Sequence, residues 1–247
     1  MKLYNTISYT GHFDTPRLAS GHSVTYRAES KVTECADFSR NVPKSPISNN
    51  QITKKMKKDI IISGVGGQGI LTISAVLDTA ALESGFNVKQ SEVHGMSQRG
   101  GAVQSHVRIS DQPVYSDLIP KGKADIILSV EPMELLRYLP YLHPDGYLVT
   151  DINPFKNIVN YPDENALKVQ IEQFPHHRIV DARTLAKRAG NFRAANIVMI
   201  GAVADLLPFE DELLKKVIAD LFQRKGDRIV QMNLDAYELG KSAILVS

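Results

Sequence analysis

Two short segments hold the residues whose types and spacing could do chemistry. The first is Gly64-Val65-Gly66-Gly67-Gln68-Gly69, a G-x-G-G-x-G run between the apolar stretch Asp59–Ser63 and a helical pattern opening at Ile70. Strand, glycine turn and helix in that order make a backbone cradle. Gly64 and Gly66 supply the positive φ of a tight turn, and bare backbone lets another molecule approach the unpaired N–H groups at a helix N-terminus. Gln68 either offers its amide to a ligand or holds the turn closed. The second segment is Gln90-Ser91-Glu92-Val93-His94-Gly95-Met96-Ser97-Gln98-Arg99-Gly100-Gly101. Arg99 puts a permanent, five-donor cation beside Gly100 and Gly101, where an anion can come close. That suits a phosphate, a carboxylate or an acidic group of another chain; the plainer alternative is an ion pair holding the loop, with Glu92 as partner. Glu92 also sits about 23 residues beyond Gly69, where an acid would meet a ribose hydroxyl, so dinucleotide binding stays open. A tight strand-to-helix turn without any ligand stays open as well. His94 is a general base or an interface histidine, Met96 is adaptable packing at an interface, and Gln98 belongs to the same candidate surface.

Other polar residues read more plainly. Arg193 and Asn196 line a site or cap a helix. Asp125 and Glu131 flank a strand, with nothing to make them an acid–base pair. His176 and His177 are adjacent, cannot share one helix face, and read as a solvated pair. No Ser-His-Asp order, P-loop lysine or zinc spacing occurs, so no catalytic residue and no metal ligand is expected in this chain. The single cysteine, Cys35, leaves the remainder without a disulfide, an iron–sulfur ligand set or a thiol nucleophile, which fits a cytoplasmic protein.

Elements that alternate between strand and helix must position these segments. Asp59–Gly64 reads as a strand, Ile70 to Gly85 as a helix and its stop, Phe86–Gln90 as a second strand, and His94–Gly101 as a loop. Ala102–Ser110 alternates as a half-buried strand, and Asp111-Gln112-Pro113 turns it into Val114-Tyr115, a hairpin that would make the sheet mixed. Ala124–Val130 is an apolar strand covered on both faces. A helix follows from Glu131-Pro132 to about Tyr141, then a strand at Tyr147–Asp151. A short helix at Asp163–Gln173, a strand at His177–Asp181 and helices at Thr184–Ala189, Ala194–Leu207, Asp211–Phe222 and Leu234–Lys241 complete the pattern. The expected fold class is α/β: a three-layer α/β/α domain with a mostly parallel, mixed sheet and a Rossmann-like glycine turn after the first strand.

The charge balance singles out the amino-terminal stretch. Of 247 residues, the first 55 hold eight Lys and Arg against four Asp and Glu and show no apolar periodicity, although the whole chain carries only +2. Residues 1–55 therefore read as a disordered or extraneous extension, with Met56 as a natural start, and residues 56–247 as one domain. The extension explains the basic excess, so no nucleic-acid face is expected. No apolar run reaches the roughly 20 residues of a membrane span, and no secretory signal is visible.

The two glycine segments together closely resemble the gamma-type domain of 2-oxoacid:ferredoxin oxidoreductases. Ala124-Asp125 through Glu131-Pro132-Met133-Glu134, Arg193-Ala194-Ala195-Asn196 and Asn233-Leu234-Asp235-Ala236-Tyr237-Glu238-Leu239-Gly240 add to the likeness, which spans about residues 57–241. Pyruvate-type gamma subunits carry an F-G-x-E-R-R-G-A-like run where this chain has His94-Gly95-Met96-Ser97-Gln98-Arg99-Gly100-Gly101. The branch it resembles most is therefore the small (beta) subunit of indolepyruvate ferredoxin oxidoreductases. The resemblance implies a larger partner subunit holding thiamine diphosphate, magnesium and [4Fe-4S] clusters, with coenzyme A as co-substrate and ferredoxin as electron acceptor. It also implies anaerobic metabolism, oxidative decarboxylation of an aryl 2-oxoacid to its acyl-coenzyme A, and an isolated chain that is inactive. Pyruvate or 2-oxoglutarate as substrate, and a stand-alone NAD enzyme, are the alternatives.

Overall fold

A near-continuous apolar strand needs cover on both faces, and β1 (Lys57–Val65) receives it: every residue from Asp59 to Val65 is buried. The structure is a computed structural model that describes residues 55–94, 100–156 and 158–244. In it, β1 runs through the middle of a six-stranded sheet whose other strands are β2 (Asn87–His94), β3 (Ala102–Ser110), β4 (Ala124–Ser129), β5 (Leu142–Asp151) and β6 (His177–Val180). Their order is β2-β3-β1-β4-β5-β6. β3 is antiparallel to both β1 and β2, while β4, β5 and β6 continue parallel to β1.

Side chains alternate across the sheet, so the two faces of β1 feed two cores. Ile60 and Ile62 pack under α1 (Ile70–Glu83), α4 (Ala182–Arg188), α5 (Ala195–Val203), α6 (Asp211–Phe222) and α7 (Asp227–Ile244). Ile61 joins Ile127, Leu135, Leu148 and Ile171 under α2 (Pro132–Arg137) and α3 (Glu164–Glu172). The three-layer α/β/α architecture with a mixed sheet is thus what the sequence predicts. Among the described residues, no helix is long and apolar enough to cross a membrane.

The mixed character has another origin than the expected hairpin. Val114 and Tyr115 form no strand. β3 lies between β1 and β2, so both of its hydrogen-bonding edges are already occupied and no edge remains for a strand after Pro113. Its true hairpin partner is β2, which continues past Gln90, where the expected strand ended, to His94, the first residue of the expected loop. Pro140 breaks the helix expected to reach Tyr141: α2 stops at Arg137 and a 3-10 turn spans Leu139–Tyr141. The proposed extension at 1–55 lies, apart from Lys55, outside the described residues.

Candidate functional site

β1 sends the chain to one side of the sheet, through α1 to β2, while β4 lies on the other side. The carboxyl ends of β1 and β4 therefore flank a topological switch point, where a crevice opens in sheets of this kind. A cleft of about 500 Å³ lies there, lined among others by Gly67, Gly69, Asp151, Phe155, Arg183 and Arg193. The glycine turn forms one wall. Its positive φ values fall at Gly67 (98°) and Gly69 (78°), not at Gly64 and Gly66 as the pattern suggested. Gly64 is still within β1, where the backbone is extended. What excludes a side chain there is space: a Cβ would lie 2.5 Å from Val130 Cγ2.

Gly66 joins the two sequence motifs. Its N–H donates to the Gly101 carbonyl at 2.8 Å, and its own carbonyl accepts from Gly100 N at 3.4 Å. The Gly66 N–H is therefore taken, because the start of β3 lies against the turn. Gln68 holds the turn closed: Oε1 accepts from Val65 N at 2.7 Å and Nε2 donates to the Val130 carbonyl at 3.2 Å. Asn196, in the first turn of α5, donates through Nδ2 to the carbonyls of Gln68 at 2.8 Å and Gly69 at 3.0 Å. It neither caps α5 nor stands free. Arg193 lines the cleft just before α5.

Glu92 is brought near the turn, sharing a recess of about 260 Å³ with Gly66, Gly67 and Gly69. β3 stands between its strand and β1, so two strand spacings, roughly 9–10 Å, separate β2 from β1. A dinucleotide site places its acidic residue on the strand next to β1, and that arrangement is absent. Gly95, Met96, Ser97, Gln98, Arg99 and the His94 side chain lie outside the described residues.

Sequence reasoning missed the far wall. Asp151 closes β5 and Asp181 directly follows β6, and that placement after Val149-Thr150 and Ile179-Val180 was the available signal. Asn153 Nδ2 donates to Asp151 Oδ1 at 2.8 Å and to Asp181 Oδ1 at 2.9 Å. Asp151 Oδ1 also accepts from the backbone N–H groups of Asn153 and Ala182. Burial nevertheless pushes its carboxyl up to about 6. At Asp181, burial acts the same way but is outweighed by hydrogen bonds from Asn153 and Thr184, which hold the carboxyl below its usual range. Arg183 lies over the Phe192 ring at 6.0 Å. Among the described residues, no carboxylate pairs with Arg183 or Arg193.

The remaining candidates separate. Asp125 accepts from Asp59 N at 2.7 Å near the start of β4, while Glu131, beyond its other end, is buried, caps α2 through Glu134 N at 2.7 Å and bonds the Tyr161 hydroxyl. The two are structural. The histidine pair is half-buried rather than solvated: His176 stacks on Tyr147 with centroids 4.9 Å apart, and His177 Nδ1 lies 2.7 Å from the Phe174 carbonyl. The cleft thus brings together two arginines, aromatic rings, glycine backbone and the Asp151 carboxyl.

The family model described as pyruvate ferredoxin/flavodoxin oxidoreductase matches residues 59–243. Indolepyruvate oxidoreductase subunit IorB of Thermococcus kodakarensis is 40% identical over 195 residues, covering 75% of this chain and 95% of that protein. 2-Oxoglutarate synthase subunit KorC of Methanothermobacter marburgensis is 33% identical over 156 residues, 61% of this chain and 77% of that one. Among solved structures, the gamma subunit of a keto/oxoacid ferredoxin oxidoreductase from Geobacter sulfurreducens superposes with a TM-score of 0.56 at 25% identity, over 77% of this chain and 99% of that chain. A 2-oxoglutarate:ferredoxin oxidoreductase from Magnetococcus marinus gives a TM-score of 0.63 at 22% identity, over 77% of this chain and 31% of that longer chain.

Proposed function

The chain belongs to the pyruvate ferredoxin/flavodoxin oxidoreductase family as the small subunit of a 2-oxoacid:ferredoxin oxidoreductase, and we propose that its 2-oxoacid is indolepyruvate. The observation that carries this reading is the 40% identity to an indolepyruvate oxidoreductase subunit across 95% of that subunit's length. The 2-oxoglutarate relative is less similar, at 33% identity. The reaction balances as indolepyruvate, coenzyme A and two oxidised ferredoxins giving indoleacetyl-coenzyme A, carbon dioxide, a proton and two reduced ferredoxins.

The larger subunit would supply decarboxylation chemistry through thiamine diphosphate and magnesium, and electron transfer through its iron–sulfur clusters. With Cys35 as its single cysteine, this chain has no ligand set for a cluster of its own. Its contribution is to hold and orient. Gly67 and Gly69 allow close backbone approach, and Arg183 and Arg193 face the same cleft without described counter-ions. Phe155 and Phe192 add flat apolar surface. This set suits a phosphate-bearing co-substrate, of which coenzyme A is the one the reaction requires. Arg99, beside Gly100 and Gly101, is proposed to meet a second anionic group, in a cofactor or on the partner. Cytoplasmic location follows from the same reading.

The test is co-expression with the larger subunit and an anaerobic assay of viologen reduction. Turnover of indolepyruvate that needs both chains, coenzyme A and thiamine diphosphate is expected, with pyruvate and 2-oxoglutarate poorer by at least about tenfold in kcat/KM. A preference for either of those acids would overturn the substrate assignment.

A further inference from the structure

Two of the cleft's walls are far apart in sequence. One is the glycine turn with the start of α1, from Gly67 to Thr72; the other is the segment entering α5, from Phe192 to Asn196. Asn196 fastens them. Its Nδ2 donates to the carbonyls of Gln68 and Gly69 at 2.8 and 3.0 Å, so both of its hydrogens cross between the walls. The fit depends on glycine, since a Cβ at Gly69 would stand 2.6 Å from that nitrogen.

We propose that Asn196 is a positioning residue for the ligand of this cleft. It fixes the glycine turn relative to Arg193, three residues before it, by holding the Gln68 carbonyl and, together with Thr72 N, the Gly69 carbonyl. The proposal rests on the reading that the cleft takes coenzyme A. Neither wall needs Asn196 in order to fold. Gln68 closes the turn through Val65 and Val130, and α5 is anchored by its buried run from Ile197 to Val203. Asn196 itself is only half-buried at the end of that helix. Removing its amide leaves two folded walls with their relative placement loosened, which weakens binding without removing a reacting group.

The experiment uses the assembled complex with the larger subunit. It compares Asn196→Ala and Asn196→Asp with the unaltered chain for kcat, for the KM of coenzyme A and indolepyruvate separately, and for thermal midpoint. The KM for coenzyme A should rise by about tenfold in the alanine variant and further in the aspartate variant, whose carboxylate opposes both the carbonyls and an anionic ligand. The kcat and the KM for indolepyruvate should stay within about threefold, and the midpoint within a few degrees. An unchanged KM for coenzyme A overturns the inference. So does a rise confined to indolepyruvate, or a fall in kcat that tracks a lower midpoint. If the unaltered complex shows no coenzyme A-dependent turnover of indolepyruvate, the functional reading fails first and takes the inference with it.

Discussion

Asp151 collects three donors on one carboxylate oxygen, yet burial still raises its pKa to about 6. A carboxylate raised in the folded state binds its proton more tightly there than in the unfolded chain. Between about pH 4 and 6 the folded state therefore holds more protons, and stability falls as pH rises through that window. Above it, the buried charge is a standing cost at about 1.4 kcal/mol per pKa unit. Asp151→Asn keeps the accepting Oδ1 and removes the charge. Thermal melts should show the variant more stable at pH 7–8 by about 1–3 kcal/mol, with the gap closing as pH falls toward 4. A gap that does not change with pH would mean that Asp151 is not the group responsible. At this same scale the sequence was legible in part. The glycine pattern located the turn, but a one-letter pattern cannot say which glycine carries the positive φ. Gly67 and Gly69 do so, while Gly64 is required by the side chain of Val130, 66 positions away. Asn196 was recognisable as polar and near a helix start, but its role depends on a carbonyl 128 residues distant.

Elements read best where local pattern decides. β3 was found to the residue and α6 likewise, because period 2 and period 3.6 are properties of contiguous sequence. Pairing is not. β2 is an edge strand, polar at Lys89, Gln90, Ser91 and Glu92, so its extension and its hairpin with β3 could not be read from apolar alternation. Helix packing was equally hidden. α5 and α7 meet at two glycines: a Cβ at Gly201 would lie 2.1 Å from the Tyr237 carbonyl, and one at Gly240 would lie 2.1 Å from the Val198 carbonyl. Both obstacles are backbone, so no side chain can swing aside. Gly201→Ala or Gly240→Ala should force the helices apart at about 3 kcal/mol, lowering the midpoint by roughly 6–12 °C. Gly122→Ala is the contrast, because a Cβ there meets nothing within 4 Å and only its φ of 71° resists. It should cost about 1–2 kcal/mol. If the helix variants melt no lower than Gly122→Ala, close packing of α5 on α7 is not what selects these glycines.

The two cores that carry the molecule are assembled from residues between Ile60 and Tyr237, with Met56 and Ile244 as outlying contacts. The family match spans 59–243, nearly the same interval. At the amino-terminal edge of that unit the backbone is already secured. Met56 N donates to Asp111 Oδ2 at 3.0 Å, and its carbonyl accepts from Asp111 N at 3.1 Å and Ser110 Oγ at 3.2 Å. Lys57 and Arg108 then neutralise the buried Asp59, the guanidinium at 2.9 Å. A chain beginning at Met56 keeps every one of these interactions, with its new terminal amine beside the Asp111 carboxylate that Met56 N already meets. We therefore expect residues 56–247 to behave as the functional domain. The shortened chain should melt within about 2 °C of the full one, a difference equivalent to less than about 1 kcal/mol for a domain of this size. It should also assemble with the larger subunit and support coenzyme A-dependent viologen reduction at an unchanged rate. Calorimetry and the anaerobic assay read the two expectations separately. A lower midpoint would place stabilising contacts in residues 1–55. A normal midpoint with lost assembly would instead assign that stretch to recognition of the partner.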